Sequence, residues 1–192
     1  MTREEAAAAF LPVLETLAHV WDGTTSWPLP GGGWLGLRFR LVVSDLEPPT
    51  EMVSSARAVV FRRGKVVVVR DLTESAHVVP GGRLEPGETV EAAVRREVIE
   101  ETGWTVGPLT RFGFYHFHHT DPERPPGFPF PWCDFVQPLH VAEAVSYAAA
   151  HRDRNQIELG SRLMSLRAAR ALLPDDQVTI LGAALAARPP RA

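Results

Sequence analysis

The chain has 192 residues, 45% of them hydrophobic and 22% charged, enough to bury one good core with an appendage. A formal net charge of −3 leaves no basic footprint, which argues against polymeric nucleic acid as a partner, and the single cysteine, Cys133, excludes an intramolecular disulfide. No run of about 18 apolar residues could cross a membrane, and the opening MTREEAAAAF carries acids where a signal peptide needs bases, so a cytoplasmic protein is expected.

The first expected element is an alanine-rich amphipathic helix over residues 2–21. Thr2 is its capping candidate, Glu4 and Glu5 sit in the first turn, and Phe10, Leu14, Leu17 and Val20 form an apolar stripe interrupted by Pro12. Residues 21–34, WDGTTSWPLPGGGW, read as turn-rich, and residues 35–43 alternate as a strand. Glu47-Pro48-Pro49 marks a boundary between an N-terminal extension, residues 1–50, and a main domain, residues 51–192. In that domain strands are expected at 57–62 and 65–70 around an Arg63-Gly64 turn. A glycine-rich loop and a helix follow, then strands at 109–118 and 132–142 around a proline-rich loop, and helices near 165–173 and 175–187. This order suits an α/β (α+β) fold with a mixed sheet between helical layers.

The most informative run is residues 82–104, GRLEPGETVEAAVRREVIEETGW, a loop feeding a helix. At about 100° per residue, Glu97, Glu100 and Glu101 share one helix face, where like charges at three- and four-residue spacing repel. Burial would raise their pKa values, so a cation is the natural neutraliser, and hard oxygen donors select Mg²⁺ or Mn²⁺. A lone E-x-x-E-E would be read as a solvated acidic face; the flanking glycines and arginine argue for a site. Thr89 is a plausible N-cap, Val94 and Val98 face a core, and Glu88 with Arg96 reads as an ion pair holding the loop against the helix.

Position by position the run resembles the Nudix box of the Nudix hydrolase family, with Gly82, Glu88, Arg96, Glu97, Glu100, Glu101 and Gly103 at its seven fixed places and Trp104 in the last apolar one. The resemblance covers roughly residues 52–173. It implies a Nudix-like α/β/α sandwich with a mixed β-sheet, preceded by an N-terminal helix-strand extension. It also implies hydrolysis of a diphosphate linkage in a nucleoside diphosphate derivative, by water attack at phosphorus with Mg²⁺ or Mn²⁺ bound. In that scheme Glu100 and Glu101 are the principal metal ligands, Glu97 is a third ligand or the general base, and the carbonyl of Gly81 completes the shell. A small-molecule nucleotide is then the expected partner. A non-catalytic nucleotide-sensing domain and an isoprenoid-diphosphate isomerase are the alternatives.

In Tyr115-His116-Phe117-His118-His119, strand alternation sends His116 and His118 to one face and His119 to the other, which favours a polar strand edge or a substrate contact over a second metal. The proline-rich loop 122–131 is expected to form a stiff rim. Phe128, Phe130 and Trp132 beside it could stack on a base, with a core or dimer contact as the alternative. Glu143 and Glu158 are rival candidates for an added ligand or base. The helix and strand of the extension have apolar faces that fifty residues could not bury alone. A homodimer is therefore expected, with Trp21, Trp27 and Trp34 as an aromatic wall over a bound base; capping of a monomer's core is the alternative.

Overall fold

The computed structural model describes residues 1–29, 32–71, 75–128, 131–152 and 158–189, with the backbone alone at residues 28, 158 and 159. Its elements in chain order begin with α1 (Arg3–Leu14), β1 (His19–Pro28), β2 (Trp34–Val43), β3 (Ser55–Arg62), β4 (Lys65–Asp71), β5 (Ala76–His77) and β6 (Gly81–Arg83). After these come α2 (Val90–Thr102), β7 (Trp104–Val106), β8 (Thr110–His119), β9 (Asp134–Tyr147), β10 (Glu158–Ser165), α3 (Leu166–Leu172) and α4 (Asp175–Ala187). Two compact units result: unit 1 holds Met1–Ser54 and Gly113–Pro138, unit 2 holds Ser55–Phe112 and Leu139–Ala192, and β8 and β9 give residues to both.

In unit 1, α1 opens with a capping box: Thr2 N–H donates to Glu5 Oε2 at 2.8 Å and Glu5 N–H donates to Thr2 Oγ1 at 3.2 Å. Ala6, Phe10 and Leu14 bury against Val42, Met52, Phe114 and Val136, with the Phe10 and Phe114 rings 5.8 Å apart. β1 runs antiparallel to β2, placing Thr24 opposite Arg38, and β2 runs antiparallel to β8, placing Leu41 opposite Tyr115.

The helix expected over 2–21 is shorter in the structure: α1 stops at Leu14. Thr16 and Leu17 N–H groups turn back to the carbonyls of Val13 and Leu14, and from His19 onward the backbone pairs with β2. The residues read as turn-rich are thus largely strand. β-branched and aromatic side chains in the HVWDGTTSW run find an antiparallel partner, and tertiary pairing overrides the helical periodicity that Leu17 and Val20 had prolonged. Val20 is 49% exposed and lies outside the buried stripe. The hairpin closes through Gly32 and Gly33, both at positive φ.

In unit 2, β3 pairs parallel with β9, Val59 opposite Val141, and antiparallel with β4 and β6; β4 pairs antiparallel with β10. Arg63 and Gly64 turn β3 into β4 with φ of 48° and 81°, the backbone a two-residue hairpin prefers. Alternation along β3 divides its side chains between two helical layers. Ala58 and Val60 bury against Ala93, Val94 and Val98 of α2, while the alternate Phe61 lies under the guanidinium of Arg188, just after α4, at 4.3 Å. The fold is α+β with a mixed sheet, as the sequence predicts. β5, β6, β7 and β10 are additional to the expected strands.

β5 carries a titration consequence. His77 is half-buried with its Nδ1 atom covered, that nitrogen has no hydrogen-bond partner among the described residues, and burial, with Arg57 nearby, lowers its pKa to about 4. The unfolded chain takes up the proton near pH 6.5, the folded chain only near 4, so stability present above pH 6.5 is lost as pH falls between those values. The loss approaches about 3 kcal/mol. Urea unfolding of wild type and His77→Gln across this window should give a shallower pH slope for the variant; equal slopes would mean that His77 is not the group that titrates.

Candidate functional site in the box helix

The α2 helix starts where the sequence places it. Thr89 Oγ1 accepts from Ala92 N–H at 3.2 Å, and the helix ends at Gly103, whose φ of 75° is a left-handed C-cap. Ala93, Val94 and Val98 fix the rotation of the helix by burying in the unit 2 core, and that rotation sets the acidic face. Glu97 and Glu101 are then 9% and 4% exposed, while Glu100 is only partly covered.

The loop before the helix meets this face with its backbone. Gly81 N–H donates to Glu101 Oε2 at 3.1 Å, and Gly82 presents its bare Cα to the Glu97 carboxylate, where a Cβ would overlap the carboxylate atoms. Gly82→Ala should therefore push Glu97 aside, a displacement of a side-chain end rather than of backbone. Activity should fall by on the order of 100-fold while the unfolding midpoint moves little. An active Gly82→Ala protein would show that the Glu97 position is not critical.

Arg96 organises the charges. Its Nε and Nη2 donate to Glu88 Oε1 and Oε2 at 2.9 and 2.8 Å, a fork-on-carboxylate pair, and Nη2 also donates to Arg83 O at 2.9 Å. Its Nη1 donates to Glu97 Oε1 at 2.7 Å and to Glu100 Oε2 at 3.3 Å. The hydrogen bond from Arg96 holds the Glu88 carboxyl below its ordinary pKa. Burial raises that of Glu97, and Arg96 only partly offsets it. One guanidinium thus ties the loop to the helix and sits between two carboxylates of the acidic face.

Arg57 of β3 has a part that sequence reasoning missed. Its Nη1 donates to Gly81 O at 3.0 Å and to Val79 O at 3.1 Å, fixing the carbonyl singled out as a metal ligand. Nothing in the local sequence marks it, because Arg57 reaches residue 81 only through the register of β3 with β6, where the two are opposite.

The candidate donors here are all oxygen: the carboxylates of Glu97, Glu100 and Glu101, whose oxygens do not all come within 4.8 Å of one another, and the carbonyl of Gly81, which accepts from Arg57. That set fits Mg²⁺ or Mn²⁺ and not a thiophilic metal. The Gly81 carbonyl has two lone pairs, so its bond to Arg57 is compatible with a cation ligand.

The remaining sequence candidates lie elsewhere. Phe128 is buried in unit 1, edge-on to His119 at 5.5 Å, and Trp132 stacks on His119 at 4.3 Å. Phe130 lies outside the described residues. Trp27 packs 5.4 Å from Phe135 and 6.2 Å from Phe117 in the same aromatic group, whereas Trp34 is 67% exposed. Glu143, on β9 opposite Phe61, binds the guanidinium of Arg188. Glu158 opens β10 with its backbone opposite Asp71, and its side chain lies outside the described residues. His116 and His118 both bond Asp134 while His119 joins the aromatic rings, the division that alternation predicts.

Comparison with known proteins bears on the whole arrangement. The chain is 30% identical over 132 residues to the ADP-ribose pyrophosphatase of Bacillus subtilis (strain 168), covering 62% of this chain and 65% of that protein. It is 47% identical over 36 residues to a putative 8-oxo-dGTP diphosphatase of the same organism, covering 19% of this chain and 24% of that protein. In both cases the match spans less than two thirds of the relative's length. In structure it is similar to a NUDIX hydrolase from Nitrosomonas europaea, with a TM-score of 0.54, 22% identity, and coverage of 72% of this chain and 93% of that one. The NUDIX domain model matches residues 52–181, a span that takes in the loop, the acidic helix and the strands that position them, and the chain belongs to the NUDIX family.

Proposed function

We propose that this chain is a metal-dependent diphosphatase that cleaves a diphosphate linkage in a nucleoside diphosphate derivative by attack of water at phosphorus. The observation that carries the reading is the contact of Glu101 and Glu97 with the Gly81–Gly82 backbone, with Arg96 bonded to both Glu97 and Glu100. Glu100, Glu101 and the Gly81 carbonyl would hold Mg²⁺ or Mn²⁺, which would supply positive charge to the phosphoryl oxygens. Glu97 is either a third ligand or the base that orients water; its burial beside Arg96 suits a carboxylate with a raised proton affinity. Glu88 and Arg96 keep the loop in place and take no proton.

The relatives named for ADP-ribose and 8-oxo-dGTP make those two compounds the first substrates to try, with dinucleoside polyphosphates next. Residues 1–50 act in this reading as an extension that pairs two copies of the chain, and exposed Val20 and Val43 at one end of the β1–β2 hairpin and Trp34 at the other are apolar side chains available for it. A cytoplasmic nucleotide pool is the proposed source of substrate; no helix among the described residues is long and apolar enough to cross a membrane. Hydrolysis in ¹⁸O-water tests the type of reaction. Label is expected on a phosphorus-containing product, and label confined to a sugar or acyl carbon would remove the diphosphatase reading.

A further inference from the structure

Unit 1 contains a second cluster of metal-binding side chains, made of residues other than those of the box. Asp134 Oδ1 accepts from His116 Nε2 at 2.7 Å and is 3.0 Å from His118 Nδ1, while Cys133 Sγ donates to Asp134 Oδ2 at 3.2 Å. Among the described residues, one trio of His, Cys, Asp or Glu donors has ligand atoms within 4.8 Å of one another: His118, Cys133 and Asp134. Asp134 and His116 are each 6% exposed, whereas the His118 side chain is 39% exposed, so the cluster is buried on one side and reachable on the other. A cavity of about 210 Å³ adjoins it, lined in part by His116, His118, Asp134, Arg38 and Arg40.

We propose that His118 Nδ1, Cys133 Sγ and the Asp134 carboxylate form a Zn²⁺ site with three protein ligands and a fourth position open to this cavity. The donor set selects the metal. Nitrogen, thiolate sulfur and one carboxylate oxygen suit Zn²⁺ and reject Mg²⁺, in contrast to the all-oxygen set of the box. Charge balances as well, since one thiolate and one carboxylate together neutralise a dication, and the proton displaced from the thiol passes to solvent. His116 acts from behind: its bond to Asp134 Oδ1 orients the carboxylate, as outer partners of metal ligands do. Strand alternation alone brings only His116 and His118 together. The missing donors come from residues 133 and 134, brought alongside β8 where His119 N–H donates to Cys133 O at 2.9 Å. A bound ion would clamp β8 to the start of β9 and so stabilise unit 1.

The test uses the full chain, freed of metal with a chelator, carrying Glu101→Gln to weaken the box, and titrated with Co²⁺ as a spectroscopic substitute for Zn²⁺. One equivalent should bind with a near-ultraviolet thiolate-to-cobalt charge-transfer band, and Zn²⁺ should displace it. Adding Cys133→Ser should abolish the band and weaken Zn²⁺ binding by at least about tenfold. Zn²⁺ should also raise the unfolding temperature of the chain with Cys133 intact and not that of the Cys133→Ser form. Should Cys133→Ser fail to fold, His118→Ala, at a half-exposed side chain, reads the same loss of affinity. The absence of the charge-transfer band, or its survival in the Cys133→Ser chain, would overturn the proposal, and so would unchanged Zn²⁺ affinity in both variants.

Discussion

Glu101→Gln should lower turnover by on the order of a thousandfold while leaving the fold intact. The substitution keeps the shape and the acceptor oxygen that meets Gly81 N–H, so the loop contact at 3.1 Å can persist. What it removes is one negative charge from a donor set whose value lies in charge: a neutral amide binds a dication far less well than a carboxylate. Glu100→Gln should act in the same direction, with a smaller effect on stability because Glu100 is less buried. The decisive readout is turnover against metal concentration. A Glu101→Gln enzyme with near wild-type turnover at limiting Mg²⁺ would remove Glu101 from the metal shell.

Gly81→Ala should unfold the chain more readily, by about 3 kcal/mol, through backbone rather than through charge. Gly81 has a φ of 149°, which L side chains rarely adopt, and its missing Cβ faces the backbone of β3, overlapping Ala56 O and lying 2.7 Å from Arg57 Cα. Neither atom can yield without breaking the pairing of β3 with β6. Gly87→Ala is the control. Its φ is 82° but a Cβ there meets no atom within 4 Å, so only the conformational cost of about 1–2 kcal/mol applies. Denaturant midpoints at unchanged slope measure the difference. If Gly81→Ala proved no worse than Gly87→Ala, the close approach of the loop to β3 would be mistaken.

The parts of this molecule that can be read from sequence are those specified locally. The box helix is one: Thr89 caps it, Gly103 ends it, Val94 and Val98 set its rotation, and glutamates at fixed spacing then have only one face to occupy. The hairpin at Arg63-Gly64 and the alternating strand through residues 35–43 are legible for the same reason. The end of α1 is not, because alanine-rich periodicity continues past Leu14 and only pairing with β2 reveals that the chain has changed structure. β5, β6 and β7 are two or three residues long, too short to show a period, and exist because longer neighbours pair with them. In the site, the Glu88–Arg96 pair follows from spacing along one loop and helix. The grip of Arg57 on Gly81 and the meeting of His118 with Cys133 and Asp134 arise from strand register across long stretches of chain, which no local pattern encodes.

We propose that the acidic face of α2 works with a divalent cation to hydrolyse a nucleotide diphosphate linkage. The most direct measurement is turnover of a panel containing ADP-ribose, 8-oxo-dGTP, the common nucleoside triphosphates and a dinucleoside polyphosphate. Wild type and Glu101→Gln should be assayed side by side with Mg²⁺, with Mn²⁺ and with chelator, following release of phosphate and pyrophosphate and the nucleotide products. At least one compound should be cleaved at its diphosphate linkage by wild type, only with metal present, and far more slowly by Glu101→Gln. Cleavage that persists in chelator, or that is equal in the two proteins, would contradict the account, as would binding of these compounds without turnover under any metal.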